Sequence, residues 1–188
     1  MSKRLHPRLL RDLLLQGRIA RYAGREAEAR VNYTEVLEAA RLAKDWSLES
    51  EALFGLGNTE LLRDPFAARR LLTESVQLIE SRVKAVRVAN VKVHLALACL
   101  DSGDLAESRR LLEASLPVLE REEQEFALAF GTEVMGLLLS GEGRPTSALD
   151  QFRRAATLRR QPGGEEASPL RWRNRRDALI AELLKSAG

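Results

Sequence analysis

Two segments of this sequence align with each other at a distance of 40 residues, and this repeat restricts the fold more than any other feature. The segment ARRLLTESVQLIESR at 68–82 aligns with SRRLLEASLPVLERE at 108–122. Fainter copies begin at Ala29 and Ala148, so four copies follow one another at intervals of 39, 40 and 40 residues. A period in this range is typical of chains that stack one supersecondary unit on the next.

Each copy combines a large apolar residue, a small residue upstream of it and a chain breaker between the two. The large residues are Tyr33, Leu72, Leu112 and Phe152, and the small ones are Gly17, Gly57, Ala96 and Gly136. Among the breakers, Asp64-Pro65 reads as a helix N-cap followed by proline in the first helical position. The pattern therefore predicts two helices per unit, in which the small residues let paired backbones approach and the large ones fill the space between units.

This order of small residue, turn, alanine and large residue resembles the tetratricopeptide repeat, and GLLLSGEGRPTSALDQFRRAATL from Gly136 is the closest copy. The resemblance covers roughly residues 7–160. It departs from the family in its period, near 40 where the usual unit has about 34 residues, as in the long repeats of bacterial regulators. It also lacks the early aromatic residue, in whose place stand Leu13, Leu53, Lys92 and Thr132. The HEAT repeat is the alternative solenoid, but the glycine and alanine positions favour the tetratricopeptide type.

The resemblance implies an all-α fold, a right-handed α-solenoid of four helix-turn-helix repeats with a C-terminal capping helix. We expect one domain over residues 1–188, with repeats at about 7–44, 47–82, 85–120 and 123–160 and a cap helix at 169–186. The first helices are predicted at about 7–23, 47–63, 85–101 and 123–140, and the second helices at about 25–44, 65–82, 104–120 and 145–160. The cap helix has an apolar face, with which it would cover the core of the last repeat. That face comprises Trp172, Leu179, Ile180, Leu183 and Leu184.

The residues that carry catalysis are scarce in this sequence. It has two histidines, His6 and His94, and one cysteine, Cys99, which we expect to be a small core residue. His94 and Cys99 would lie about 140° apart around a helix, so they do not form a nucleophile pair, and the ligands of a zinc site are missing. A single cysteine suits a reducing compartment, and no apolar stretch is long enough to span a membrane. We therefore expect a non-enzymatic, cytoplasmic protein without cofactor, metal or membrane partner.

The resemblance also implies where a partner binds, because the first helix of each tetratricopeptide unit lines the concave face of the array. Projecting these helices assigns eight groove residues: Arg11, Arg18, Phe54, Asn58, Asn90, His94, Leu97 and Glu133. Some relatives hold peptides through groove asparagines, and the amides of Asn58 and Asn90 can both donate to and accept from a peptide main chain. For either asparagine alone, an ordinary exposed helix position is an equally good interpretation. The Lys/Asn clamp for terminal carboxylates is not reproduced, since Leu14 stands where a lysine is required.

Charge is unevenly distributed along the chain. Residues 1–30 carry eight Lys/Arg and three Asp/Glu, and residues 144–188 carry ten and five, although the net charge of the whole chain is +3. The densest basic patch consists of Arg171, Arg173, Arg175 and Arg176. Three interpretations stay open: a partner with phosphate or acidic groups, self-association of a basic end with the acidic middle, and a solvated arginine-rich surface. The leading hypothesis is a scaffold that binds a protein or peptide partner in its groove, and the alternative is a nucleic-acid-associated regulator that binds through its basic ends.

Overall fold

The computed structural model describes residues 6–160 and 170–186, and this part of the chain forms nine α-helices and no strand. The helices are α1 (Pro7–Tyr22), α2 (Glu26–Ala43), α3 (Trp46–Glu60), α4 (Pro65–Ile79), α5 (Ala85–Asp101), α6 (Leu105–Arg121), α7 (Glu125–Gly141), α8 (Pro145–Arg159) and α9 (Leu170–Ser186). The predicted all-α class is confirmed, and the ends of the predicted helices agree with the observed ones to within three residues. The predicted linker at 161–164 and the cap at Ser168-Pro169 lie outside the described residues. No described helix is long and apolar enough to cross a membrane.

Local signals account for where the helices begin. The side chain of Asp64 accepts a hydrogen bond from the backbone N–H of Ala67 at 3.0 Å, and Pro65 opens α4, which confirms the predicted cap. Asp45 and Asp104 cap α3 and α6 in the same way. Such side chains stabilise a helix because they satisfy N–H groups that have no partner within its first turn.

Three of the connections between paired helices turn through a glycine in the left-handed region. Gly24, Gly103 and Gly143 have φ angles of +74°, +88° and +72°, a conformation that costs glycine little because it has no β-carbon. These residues lie between α1 and α2, between α5 and α6, and between α7 and α8. The breakers recognised in the sequence are thus short turns that reverse the chain and place consecutive helices side by side.

The chain divides into two compact units, residues 1–83 and residues 84–188. In the first unit α1 packs against α2 and α3 against α4, while α2 also contacts α3. In the second unit α5 packs against α6 and α7 against α8, α6 contacts α7, and α9 packs against α8. The division falls between the second and third predicted repeats, within what the sequence presented as one domain.

Small and large residues meet inside the helix pairs, although the sequence pattern predicts the large ones in the space between units. A β-carbon at Gly57 would lie 2.6 Å from Cγ of Leu72, which is closer than real side chains approach. Equivalent β-carbons at Gly17 and Gly136 would lie 2.8 Å from a ring carbon of Tyr33 and 2.9 Å from one of Phe152. The absence of a side chain on the first helix therefore makes room for the large residue on the second. Tyr33 also reaches the next helix pair, where a β-carbon at Gly55 would lie 2.5 Å from Cζ of its ring.

The interior is built from the repeat positions. Leu72 and Leu112 have no exposed surface, and Cys99 is 1% exposed, which confirms that it is a core residue. The hydroxyl of Ser75, also buried, donates to the backbone carbonyl of Ser50 at 2.9 Å and so links α4 to α3. Packing at these small and large positions is what holds each helix pair together.

Candidate functional site

The eight predicted groove residues fall into two sets of four, one in each compact unit. Arg11, Arg18, Phe54 and Asn58 belong to residues 1–83. Asn90, His94, Leu97 and Glu133 belong to residues 84–188. The two sets have different surroundings.

In the first unit the structure brings the predicted four residues together around one pocket of about 310 Å³. We call it the arginine pocket. Its lining comes from α1, α2 and α3 and comprises Arg11, Leu14, Leu15, Arg18, Arg21, Tyr33, Glu51, Phe54, Gly55 and Asn58. The pocket combines apolar walls with a concentration of positive charge.

The positive charge comes from α1. Arg11, Arg18 and Arg21 recur at intervals of seven and three residues, which places them on one face of that helix. Among the described residues, no Asp or Glu forms an ion pair with any of the three. Unlike Arg30, which pairs with Glu60 at 2.8 Å, Arg11 and Arg18 are exposed and available to an external anion. Arg21 is half-buried and makes a side-chain hydrogen bond with Tyr33.

Tyr33 forms part of the pocket wall and has a perturbed phenol. Burial raises the pKa of Tyr33 above its usual value, and the neighbouring positive charges of Arg21 and Arg18 partly oppose the rise. The Arg21 guanidinium also lies 4.4 Å from the ring centroid of Tyr22, and its Nε is buried without a hydrogen-bond partner among the described residues. The pocket therefore contains a neutral phenol and a donor that has no acceptor.

Asn58 adds an acceptor without a donor. Its Nδ2 donates to the backbone carbonyl of Phe54 at 2.8 Å, one turn earlier on α3. Its Oδ1 is buried and has no hydrogen-bond partner in the described part of the chain. An unsatisfied buried polar atom costs roughly 1–3 kcal/mol, so a ligand that donates an N–H to this oxygen would relieve that cost.

No protein-family model and no curated protein sequence matches this chain.

In the second unit the predicted groove positions are largely covered. The groove prediction required side chains that are open to a ligand. Leu97 is 1% exposed and Glu133 is 2% exposed, so neither meets that requirement. His94 and Asn90 are half-buried, and the ring of His94 lies 4.6 Å from that of Phe130. The helical projection assumed that the first helix of each unit lines an open concave face, whereas the predicted face of α7 at Glu133 is covered by α9.

Glu133 is the centre of this covered region, and its carboxylate is held by three side chains. Arg159 of α8 donates two hydrogen bonds to it, at 2.9 and 2.8 Å. From α9, Trp172 donates through Nε1 at 2.8 Å and Arg176 through Nη1 at 3.0 Å. A buried carboxylate requires partners of this kind, because transfer of an unpaired charge out of water is very costly.

The predicted basic patch on α9 is partly directed towards the protein. Arg175 makes two hydrogen bonds to the carboxylate of Asp101 on α5, at 2.6 and 2.5 Å, and Arg176 binds Glu133. Arg173 is half-buried, and the Arg171 side chain lies outside the described residues. At least two of the four arginines thus have carboxylate partners within the chain.

Among residues 6–160 and 170–186, no three His, Cys, Asp or Glu side chains cluster as a metal ion requires. The first unit offers charge, an unsatisfied amide oxygen and apolar walls, and in the second unit carboxylates bind a helix.

Sequence reasoning overlooked two of the residues that matter most in these regions. Tyr33 was assigned to packing, although a tyrosine at a position occupied elsewhere by leucine or phenylalanine carries a hydroxyl that needs a polar environment. Trp172 was assigned to an apolar face, although its indole N–H needs an acceptor when it is buried. In both cases the polar group on the aromatic ring was the available signal.

Proposed function

We propose that the chain is a non-catalytic scaffold of the tetratricopeptide kind that binds an acidic peptide segment of a protein partner in the arginine pocket. In this proposal the helix pairs are four repeats of a right-handed α-solenoid, and α9 follows the last of them. The tetratricopeptide assignment is supported by the contacts of Gly17, Gly57 and Gly136 with the large residue of the paired helix. Their common role at equivalent positions is what a repeated unit requires.

The observation that carries the functional proposal is the set of three arginines that have no carboxylate partner among the described residues and lie on one side of a pocket that also has an apolar wall. Arg11, Arg18 and Arg21 would attract carboxylates, while Phe54 would contact an apolar side chain of the peptide. The orphan Oδ1 of Asn58 would accept a main-chain N–H. Carboxylates, an apolar side chain and a free main-chain N–H occur together in an extended acidic peptide, and charge complementarity would also speed its association.

A nucleic-acid-associated regulator that binds through its basic ends is the alternative function. It requires arginines that are free to neutralise phosphates. Arg175 and Arg176 instead form ion pairs with Asp101 and Glu133, so part of the charge of the C-terminal patch is already neutralised. At the N-terminal end, where Arg11 and Arg18 stay free, the apolar wall formed by Phe54 favours the peptide over the nucleic acid.

The proposal can be tested without knowing the natural partner. A phage-displayed library of random peptides would be selected on the full chain, and the enriched sequences should combine Asp or Glu with an apolar residue. The affinity of a synthetic peptide chosen in this way should fall by about tenfold or more when Arg18 is changed to Glu. Its dissociation constant would be measured by fluorescence anisotropy at two salt concentrations.

Arg8→Glu is the matched control, because Arg8 lies on the same helix, is exposed, does not line the pocket and gives the same change of charge. It should leave the affinity within about twofold of the unmodified chain. Equal losses in the two variants, or selected peptides without acidic residues, would contradict the proposal. A random DNA oligonucleotide that bound more tightly than the peptide at low salt would support the alternative.

A further inference from the structure

The contacts of α9 differ from those expected of a helix that caps a hydrophobic core. Trp172 and Leu183 are buried, but Leu184 is 54% exposed, and Leu179 and Ile180 are half-buried. The predicted apolar face therefore buries only part of its surface. A terminal cap is expected to bury a continuous apolar stripe against its neighbour.

The remaining attachment of α9 is made by polar groups that meet two acidic side chains. Arg175 binds Asp101 of α5 with two hydrogen bonds, and Arg176 binds Glu133 of α7 at 3.0 Å. The pairing of two N–H groups of one guanidinium with one carboxylate is strong and directional. A binding site for a basic ligand uses the same pairing.

One aromatic residue provides the apolar part of this attachment. The Trp172 ring meets that of Phe130 in an edge-to-face arrangement, with 5.1 Å between centroids and 63° between planes. Its indole N–H donates to Glu133 at 2.8 Å. Trp172 and the two arginines lie at positions i, i+3 and i+4 of α9, and therefore on one face of the helix.

We propose that Asp101, Phe130 and Glu133 form a second binding site, one that accepts a basic helix, and that α9 is its intramolecular ligand. We call these three residues the α9 site. The partner that fits is a helix with an aromatic residue at position i and arginines at i+3 and i+4. This site lies in the other compact unit from the arginine pocket and takes a ligand of opposite charge, so it does not depend on the function proposed above.

Covalent attachment determines how such a site would be regulated. A tethered helix competes at an effective concentration in the millimolar range, so a free helix of equal intrinsic affinity displaces it weakly. A partner helix with additional contacts, or a change that weakens the arginines of α9, would open the site. The contacts of α9 thus set a threshold for partner binding.

Two measurements test the proposal on the full chain. The first uses Trp46→Phe, which leaves Trp172 as the one tryptophan and makes its fluorescence a reporter of α9. The probe is a synthetic peptide of residues 170–186 in which Trp172 is replaced by phenylalanine. We expect excess peptide to shift the emission of Trp172 to the red, since the displaced indole enters water.

The second measurement weakens the binding of the chain's own α9, so that α9 competes less with an added peptide for the α9 site. In the chain with Arg175→Gln and Arg176→Gln, a labelled peptide of residues 170–186 should bind about tenfold more tightly than to the unmodified chain. Adding Asp101→Asn or Glu133→Gln should reduce this binding by about tenfold, with circular dichroism confirming that each variant is folded. Asp101→Asn serves if Glu133→Gln does not fold, because Asp101 is less deeply buried.

Three results would overturn the proposal. The first is no binding of the peptide to the doubly substituted chain. The second is equal binding of a peptide whose two arginines are replaced by glutamine, because recognition would then not involve the carboxylates. The third is an unchanged Trp172 emission at peptide concentrations about a hundredfold above those that saturate the doubly substituted chain, because the tethered α9 should be displaced there, and its failure to move would show α9 to be a permanent part of the fold.

Discussion

Gly136 of α7 lies so close to Phe152 of α8 that a β-carbon on the glycine would be 2.9 Å from Cζ of the ring. The phenyl ring fills the space that the missing side chain leaves, and it is 4% exposed. The same relationship joins Gly57 to Leu72 in the first unit. Because the same contact recurs at equivalent positions of the sequence, the glycine and the large residue together indicate how two paired helices pack.

The first prediction concerns this contact. Gly136→Ala should destabilise the protein by about 1–3 kcal/mol, because the new methyl group forces the ring of Phe152 to move in a packed core. Gly141→Ala is the control on the same helix: its β-carbon would find its nearest atom at 3.9 Å, and alanine favours helix by about 1 kcal/mol. Urea unfolding should therefore shift to lower concentration for the first variant and not for the second. A stable Gly136→Ala protein would mean that the helices do not approach as closely as described.

The second prediction concerns the large position of the third repeat. Leu112 has no exposed surface, so Leu112→Ala should cost about 2–5 kcal/mol through lost burial and the cavity that remains. Leu105→Ala, at the start of the same helix and 37% exposed, should cost less than about 1 kcal/mol. Thermal unfolding followed by circular dichroism compares the two. Similar melting temperatures would contradict the assigned register of α6.

The third prediction concerns the buried carboxylate of Glu133. Glu133→Ala should cost about 3–5 kcal/mol, since it removes the one buried carboxylate that accepts hydrogen bonds from Arg159, Trp172 and Arg176. Glu142→Ala removes the partner of Arg109 in a more exposed pair just beyond the end of α7 and should cost about 0.2–1 kcal/mol. Chemical denaturation measures both. A small decrease in the free energy of unfolding of Glu133→Ala would show that water reaches Arg159 and Arg176.

The fourth prediction concerns the phenol of Tyr33, whose pKa is raised above 10.0 by burial. In Tyr22→Phe, where Tyr33 is the remaining tyrosine, ultraviolet titration of the native protein should show the phenolate forming at higher pH than in the same chain unfolded in urea. Because the folded state prefers the neutral phenol, its contribution to stability is fully present below pH 10 and is lost as the pH rises through the folded pKa. Coincident native and unfolded titrations would place Tyr33 in water.

The sequence by itself determined the helices and the way in which they pair. Capping residues such as Asp64, turn glycines such as Gly103 and the spacing of small and large residues act within a few positions of the chain, so their effects can be read locally. For that reason the predicted helix ends and the buried state of Cys99 agree with the structure. The arginines of α1 share a face for the same reason, because helical spacing alone places them there.

Tertiary structure decided which helix faces are open. Glu133 has the same spacing as a groove residue, yet it is covered by Trp172, which lies 39 positions further along the chain. Leu97 has the same spacing as Asn58, yet one is in the core and the other lines a pocket. Periodicity assigns a residue to a face, but exposure of that face depends on contacts between distant segments, and those contacts form only when the whole chain has packed.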